Sequence, residues 1–302
     1  MITGSTGYLG RALVDLLVRR GVEVRAAVRD SARAAEVLPS GVEVATADLA
    51  DVEALERAAR GCSGVLHLAG SVGHSAEQIR RTNVAGTRNV LAAAVAAGVP
   101  RLVYTSSSAG IMDASGLVAE EPVGPAALTD PYSTSKAEAE TLVLAAAREG
   151  LAAMIVNPVS LYGPSPLGPF SYNELFLAAA RGEVETVVDA SVGWVLAEDA
   201  AAGHLLALER GEPGRRYVLC GEVATFGRML RTFAGLVGGT QVHTVAPGSA
   251  LGADAGTFAR RSEVYGKFPP VHVNDSGARG LGFAPRGVDE GLKLTAEWIG
   301  RI

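Results

Sequence analysis

The amino-acid sequence predicts an α/β protein with a doubly wound parallel sheet and a smaller C-terminal α/β domain. Short β-rich runs alternate with helical patterns through the first two-thirds of the 302 residues, which favours parallel strands with helices on both faces. A glycine-rich turn at Gly4, Gly7 and Gly10 separates the first run from the first helical pattern. Beyond a proline-rich stretch the alternation loosens, which indicates a change of architecture.

Six runs are the predicted strands of the parallel sheet, at residues 1–3, 23–28, 42–45, 64–68, 101–105 and 153–157. Between them, Leu9, Leu13, Leu16 and Leu17 mark the apolar stripe of a first helix, and two longer helices are predicted at 77–97 and 132–148. Only three residues precede the glycine turn, whereas a strand usually has about five or six. We therefore expect the natural chain to begin several residues earlier.

The remaining chain predicts further helices and strands. The helical patterns are at 171–181, 198–208, 225–237 and 288–299, and the extended runs are at 185–188, 216–219 and 242–245. We place a boundary near residue 165. Residues 1–165 then form the doubly wound domain and residues 166–302 mainly the smaller one, with segments around 190–210 returning to the first domain.

Composition limits the classes of protein and partner. Apolar residues make up 48% of the chain, which excludes a disordered chain, and the net charge of -5 without a basic run argues against nucleic acid or an anionic membrane as partner. The start lacks a signal sequence, and the uncharged stretch 150–173 contains four prolines, too many for a membrane-spanning helix. Cys62 and Cys220 lack metal-type spacing, which favours a reduced cytoplasmic protein without a metal site.

The glycine-rich turn has the context of a dinucleotide-binding site. It follows a strand and opens a helix, where glycines let backbone N–H groups approach a pyrophosphate and the helix N-terminus favours negative charge. The alternative is an ordinary glycine-rich turn. The expected cofactor-binding residues of this turn are Gly4, Thr6, Gly7, Tyr8, Leu9 and Gly10.

The end of the second strand bears on the choice of cofactor. Arg29 lies 19 residues after Gly10, and Asp30 follows it. An arginine there suits the 2′-phosphate of NADP, whereas an acidic residue binds the adenosine ribose of NAD. We therefore favour NADP over NAD, with Asp30 pointing to the other side of the strand.

Tyr132 and Lys136 are the candidate acid/base pair. Residues at i and i+4 share one helix face, so the ammonium lies beside the phenol and favours its ionised form. A free phenol has a pKa near 10 and transfers protons poorly at neutral pH. Chance spacing is the alternative interpretation, so the pair needs structural context.

The motifs together resemble the extended short-chain dehydrogenase/reductases, also called the NAD-dependent epimerase/dehydratase family. The similarity is greatest to the dihydroflavonol-reductase-like branch, with related sugar epimerases. The motifs that carry the resemblance, in chain order, are residues 3–10, 28–30, 48–49, 67–70, 83–91, 103–108, 132–136, 155–158, 162–164, 194–204, 216–219 and 275–283.

The resemblance implies a Rossmann domain at 1–165, a substrate-binding domain at 166–302 and a catalytic set of Ser107, Tyr132, Lys136 and Asn83. Tyr132 is then the general acid/base, and Lys136 holds the nicotinamide ribose and lowers the tyrosine pKa. The family's serine falls on Ser107 counting from the strand and on Ser108 counting back from the next glycine; strand register favours Ser107.

Further cofactor contacts also follow from the resemblance. The residues concerned are Asp48 and Leu49 at the adenine, Leu68, Ala69 and Gly70 along the cofactor, and Pro158 at the nicotinamide. Without the resemblance, Asp48 is as well explained by a turn cap, Asn83 by a bond within a helix, and Pro158 by a strand end.

Three functions stay open on the sequence alone. The first is an NADP-dependent oxidoreductase that reduces a carbonyl, or oxidises a secondary alcohol, of a small molecule. The second is a nucleotide-sugar epimerase or dehydratase with tightly bound NAD(P), and the third is a redox-inactive NAD(P)-binding regulator. The resemblance also implies a homodimer formed through the helices at 77–97 and 132–148.

Overall fold

The computed structural model describes residues 1–239, 241–252 and 254–301. The strands are β1 Ile2–Thr3, β2 Arg25–Val28, β3 Glu43–Thr46, β4 Val65–His67, β5 Leu102–Thr105, β6 Leu117–Ala119, β7 Ala153–Pro158, β8 Ser160–Tyr162, β9 Thr186–Val188, β10 Ser191–Leu196, β11 Arg216–Leu219, β12 Glu222–Thr225, β13 His243–Val245 and β14 His272–Asn274.

The α-helices are α1 Tyr8–Arg19, α2 Ser31–Val37, α3 Val52–Ala59, α4 Ala76–Arg80, α5 Gly86–Ala96, α6 Pro131–Arg148, α7 Asn173–Ala180, α8 Ala197–Arg210, α9 Phe226–Val237, α10 Thr257–Tyr265, α11 Ser276–Gly280 and α12 Val288–Ile299. A π-helical segment, Arg81–Ala85, joins α4 to α5, and a 3-10 turn, Ser108–Gly110, follows β5. Among the described residues, no helix is long and apolar enough to cross a membrane.

The central sheet has seven parallel strands in the order β3-β2-β1-β4-β5-β7-β11. The chain runs outwards from β1 in one direction and from β4 in the other. In such a sheet, ligands bind at the carboxyl ends of the strands beside the point of reversal. The predicted doubly wound α/β architecture is therefore confirmed.

Helices cover both faces of this sheet. On one face, Leu13 of α1 and Leu205 of α8 pack with strand residues such as Val103 in one core cluster. On the other face, α3, α5 and α6 bury Leu55, Val90 and Val143 in a second cluster. These side chains bury apolar area at helical spacing, which is the main stabilising term for such layers.

The C-terminal part has its own core. Trp194 of β10 is fully buried, and its ring lies 4.9 Å from that of Tyr172 and 5.3 Å from that of Phe226. The indole Nε1 donates to the Ala224 carbonyl at 3.0 Å, which satisfies its polar group. Residues after 165 also complete the central sheet, because β11 pairs with β7 and α8 packs against α1.

The structure differs from the sequence-based elements in two ways. The helix predicted at 77–97 is interrupted by the π-helical segment, which inserts one residue into the turn and carries Asn83. The short elements β6, β8, β10, β12, β14, α2, α3, α10 and α11, of three to nine residues each, were not predicted, because such short segments rarely show a clear period. In β10 the pattern is also broken by Gly193, where a Cβ would lie 2.7 Å from Val159.

Candidate active site

The helix α6 brings the tyrosine and lysine to the carboxyl edge of the sheet. Asp130 caps its N-terminus, accepting bonds from the Tyr132 and Ser133 N–H groups at 3.1 Å each. Pro131 occupies the first turn, where its missing N–H costs nothing. Gly110 lets the 3-10 turn approach the helix, since a Cβ there would lie 3.2 Å from the Lys136 Cβ.

Lys136 is buried beneath the site. Its side chain is 4% exposed, and Nζ donates to the Thr105 carbonyl at the end of β5 at 2.8 Å. Nζ also lies 5.1 Å from the centre of the Tyr104 ring and 5.9 Å from that of Tyr132. Burial lowers the pKa of Lys136 to about 8, and the charge of Glu140 acts in the opposite direction.

Glu140 extends the site one helical turn further. It is buried and accepts from Asn157 Nδ2 at 2.6 Å and from Arg216 Nε at 2.6 Å. The carboxylate therefore joins α6 to β7 and β11 while facing the lysine. The sequence analysis missed Glu140, although a carboxylate four residues after Lys136 is a visible signal.

Asn83 links the end of β4 to α6. Its Oδ1 accepts from the Ser71 N–H at 2.7 Å, and its Nδ2 donates to the Ser71 carbonyl at 3.1 Å and to Ser135 Oγ at 2.8 Å. The side chain is almost fully buried. The π-helical segment presents it, which is a frequent setting for functional residues.

The two candidate serines have different surroundings. Ser107 interacts with the Tyr132 hydroxyl so as to lower its pKa, and its Oγ accepts from the Ala109 N–H at 3.2 Å. Ser108 lines a small, mostly apolar cavity of about 10 Å³ with Met112 and Tyr265. The geometry favours Ser107 as the hydroxyl that acts with the tyrosine.

The pKa of Tyr132 differs from the expectation drawn from the resemblance. Burial raises the pKa of the Tyr132 hydroxyl, and the bond to Ser107 and the charge of Arg261 oppose that rise. Lys136 lies near the ring face instead. Burial therefore favours the neutral form of the Tyr132 hydroxyl in this structure.

The glycine turn is shaped by close backbone contacts. Gly4 has φ 73°, and a Cβ there would lie 2.6 Å from the Ala69 nitrogen. At Gly10 a Cβ would overlap the Gly4 carbonyl. Gly7 is exposed at the N-cap of α1, whose N-terminal N–H groups point out of the helix.

Not every side chain of this turn faces a ligand. The Tyr8 hydroxyl donates to the Gly163 carbonyl at 2.8 Å and accepts from Asn173 Nδ2 at 3.2 Å. Leu9 is buried in the core. Thr6 is partly exposed. Tyr8 and Leu9 can therefore offer only their backbone to a phosphate.

The adenosine end of the predicted site lies at β2 and β3. Arg29 is exposed just after β2, whereas the Asp30 carboxylate caps α2 by accepting from the Arg33 N–H at 3.0 Å. Asp48 is exposed and accepts from the Ala50 N–H at 2.8 Å. The Leu49 side chain packs on Gly86.

The remaining residues predicted to contact the cofactor lie at the ends of β4 and β7. The Ala69 N–H donates to Thr3 Oγ1 at 3.3 Å, and a Cβ on Gly70 would lie 3.3 Å from Lys136 Nζ. Leu68 packs against the core between the sheet and α1. Pro158 ends β7 beside Leu219 of β11.

The residues present fit a dinucleotide. The glycine turn leaves the α1 N-terminus open, Gly70 keeps the face of Lys136 clear, and the fully buried Ser5 hydroxyl lacks a hydrogen-bond partner. Within the described ranges, His, Cys, Asp and Glu form no group able to hold a metal ion.

Comparisons with known proteins agree over most of the chain. The sequence model of the NAD dependent epimerase/dehydratase family matches residues 1–220. A Synechocystis sp. protein provisionally named dihydroflavonol 4-reductase is 37% identical over 72% of this chain and 66% of that relative, slightly under two thirds of its length. The 2-alkyl-3-oxoalkanoate reductase of Stenotrophomonas maltophilia is 36% identical over 71% of this chain and 66% of that protein.

A solved structure has a similar fold over nearly the whole chain. MoeE5 in complex with UDP-glucose and NAD matches with a TM-score of 0.80 and 26% identity, over 99% of this chain and 98% of that one.

Proposed function

The chain belongs to the NAD dependent epimerase/dehydratase family and is an NAD(P)-dependent oxidoreductase; from that premise we propose that it reduces the carbonyl of a small organic substrate with NADP. The observation that carries the proposal is the placement of Lys136 Nζ 5.9 Å from the centre of the Tyr132 ring, with Ser107 acting on the tyrosine hydroxyl. A neutral phenol next to an oriented hydroxyl is suited to give a proton to a carbonyl oxygen.

Each residue of the site has a role in this reaction. Ser107 orients the substrate oxygen, and Tyr132 donates the proton that turns it into a hydroxyl. Lys136 would hold the ribose of the cofactor, and Asn83 positions the backbone of Ser71. The nicotinamide supplies the hydride when bound. The remaining cofactor contacts are proposed at the glycine turn, Arg29, Asp48, Leu49, residues 68–70 and Pro158.

The second candidate is a nucleotide-sugar epimerase or dehydratase, supported by the likeness to MoeE5. A nucleotide diphosphate needs arginine or lysine nearby. Three arginines of the C-terminal part that could serve this purpose are already in ion pairs: Arg215 with Glu121, Arg228 with Glu222 and Arg260 with Glu263. This pairing, with two relatives named as reductases, favours the reductase. A redox-inactive regulator has no use for a tyrosine and a lysine placed together at the carboxyl edge of the sheet.

A panel of substrates tests the proposal. We expect NADPH to be oxidised in equal amount to the ketone or aldehyde consumed. The contradicting outcome is conversion of nucleotide sugars without net use of NADPH, while simple carbonyl compounds are left unchanged.

Arg29 is proposed to select NADP. Its exposed guanidinium is free to reach a 2′-phosphate at the end of β2, while Asp30 is committed to the α2 cap. We expect Arg29→Ala to lower the preference for NADPH over NADH by about 10- to 100-fold, the value of a charge-assisted bond. The ratio of kcat/KM for the two cofactors measures this.

Arg20→Ala is the control, since Arg20 is an exposed arginine at the far end of α1. A preference that stays unchanged in Arg29→Ala would remove the residue from the cofactor site.

The pH dependence of reduction is set by Lys136. Because burial lowers its pKa to about 8, the ammonium is present below that pH and is lost as the pH rises through it. The raised pKa of Tyr132 keeps the proton donor in place over the same range. We therefore expect kcat/KM for reduction to be level near neutrality and to fall above about pH 8.

A variant of Glu140 tests whether Lys136 sets the pH dependence. Its charge raises the pKa of Lys136, so Glu140→Gln should move the fall in kcat/KM to lower pH. A shift to higher pH, or a profile that stays in place, contradicts the assignment to Lys136.

We also propose a homodimer formed through α5 and α6. The outer face of α5 exposes Val95 at 61%, and the alanine-rich ends of both helices allow close packing. Sedimentation should show a dimer at micromolar concentration, and a monomer there would refute it. A cytoplasmic location is a further proposal, supported by the free thiols of Cys62 and Cys220.

A further inference from the structure

The end of β5 is held by two side chains of α6, one directly and one through an asparagine. Lys136 Nζ donates to the Thr105 carbonyl at 2.8 Å. One helical turn later, Glu140 accepts from Asn157 Nδ2 at 2.6 Å, and the same nitrogen donates to the Ser107 carbonyl at 3.2 Å. Asn157 therefore connects α6 to the backbone of the serine that the proposed reaction uses.

The orientation of the Asn157 amide is fixed by the chemistry of its two partners. A carboxylate and a backbone carbonyl accept hydrogen bonds and cannot donate them, so an amide turned the other way would place Oδ1 against two oxygens. Arg216 Nε holds the Glu140 carboxylate at 2.6 Å. The acceptor that orients Asn157 is therefore itself held in place.

The same orientation leaves the other polar atom of Asn157 uncompensated. The side chain is fully buried, and among the residues that the structure describes its Oδ1 has no hydrogen-bond partner. An unpaired buried acceptor destabilises a fold. A leucine of similar size would fill this place without that cost, so the presence of asparagine points to the two bonds that its nitrogen donates.

These bonds fix the peptide that follows Ser107. Its carbonyl accepts from the Gly110 N–H at 3.0 Å as well as from Asn157, so the peptide plane cannot turn without breaking one of the two bonds. Ser107 Oγ accepts from the Ala109 N–H at 3.2 Å, which leaves its O–H available to donate. The backbone thus sets which of the two neighbouring serines presents a donor.

We infer that Asn157 is a positioning residue, which holds the Ser107 carbonyl so that the Ser107 hydroxyl, and not that of Ser108, is directed at the substrate oxygen. The inference rests on the proposed reductase function and adds a residue that acts through Ser107 without contacting the substrate. Glu140 and Arg216 serve the same end, because they keep the amide in its orientation.

A double-mutant cycle with Ser107 is the kinetic test. With NADPH and the carbonyl compound of the substrate panel that the wild type reduces fastest, we expect Asn157→Leu to lower kcat by about 10- to 100-fold, the effect of a misplaced group. The KM for NADPH should change by less than about 3-fold. In a Ser107→Ala background, Asn157→Leu should lower kcat by less than about 3-fold, because the hydroxyl that it positions is gone.

Hydrogen exchange provides a readout that does not depend on activity. Loss of the Asn157 bond should speed amide exchange in residues 107–112 by about 5- to 10-fold, the value of one hydrogen bond. Asn157→Ala removes the same donors with a smaller side chain and should give the same two results, which keeps the test valid if the leucine does not fit.

Thr295→Val is the matched control. Thr295 is also fully buried, and its hydroxyl donates to the Gly291 carbonyl of α12 at 2.7 Å, so a buried hydrogen bond is removed outside the site. We expect kcat to change by less than about 2-fold and exchange in residues 107–112 to stay as in the wild type.

The outcomes separate this inference from the proposed function. If carbonyl compounds are reduced but Asn157→Leu lowers kcat equally with and without the Ser107 hydroxyl, or leaves exchange in residues 107–112 unchanged, the positioning role is refuted and the reductase stands. If the wild type reduces no carbonyl compound while exchange in residues 107–112 is faster in Asn157→Leu, the hold of Asn157 on Ser107 is supported and the reductase is refuted.

Discussion

Replacing Tyr132 with phenylalanine is expected to lower kcat for carbonyl reduction by about 10³-fold, within the range of a lost general acid. The phenol is the only proposed donor to the substrate oxygen, and the Ser107 hydroxyl is too weak an acid to replace it. The phenylalanine ring should keep the position of the Tyr132 ring on α6, so cofactor binding should change little. Stopped-flow or steady-state oxidation of NADPH measures the loss, and cofactor fluorescence measures the binding.

The control is Tyr217→Phe. The Tyr217 hydroxyl accepts from the Glu212 N–H at 2.8 Å in the loop before β11, so the same atom is removed outside the proposed site. A Tyr132→Phe variant that keeps more than about a tenth of the activity would contradict general acid catalysis by this residue.

Replacing Arg216 with methionine is expected to destabilise the protein by about 3 kcal/mol, the usual cost of leaving one partner of a buried pair without its counter-charge. Glu140 is 2% exposed and Arg216 is 20% exposed, and their Nε–Oε2 distance is 2.6 Å. The Asn157 amide still donates to Glu140, but it carries no charge. Urea unfolding measures the change in the free energy of unfolding.

Two variants show whether the destabilisation is caused by the Glu140 carboxylate, which is left without its counter-charge. Arg215→Met removes the neighbouring arginine, whose pair with Glu121 is exposed at 52% and 80%, and should cost less than about 1 kcal/mol. The double variant Glu140→Leu with Arg216→Met should recover most of the loss. Equal destabilisation by Arg215→Met and Arg216→Met would show that burial of the pair is unimportant.

The central sheet could be predicted because its signals are local. Strands β1 to β5 and β7 and the helix α1 show their periods within a few residues, and Gly4 and Gly10 are required by contacts of the turn itself. The π-helical segment could not be predicted, because its extra residue leaves the pattern of apolar positions in the sequence almost unchanged. Short strands such as β6 and β14 pair with each other across 155 residues of sequence, and nothing local specifies that contact.

The sequence named candidate residues for the site, but it did not give the electrostatic effects that act on them. The sequence placed Tyr132, Lys136 and Asn83 near each other, and it left the serine open between two neighbours. It could not give the direction of the Tyr132 pKa, which follows from burial.

Transfer of deuterium from the cofactor tests the central claim most directly. The protein is incubated with NADPH that carries deuterium at both C4 positions of the nicotinamide and with a ketone, and the product is analysed by mass spectrometry. We predict one deuterium in each alcohol formed and one NADP⁺ per alcohol, with the rate of formation of both lowered about 10³-fold in Tyr132→Phe. Epimerised or dehydrated nucleotide sugar without deuterium, and with the cofactor unconsumed, would contradict net carbonyl reduction.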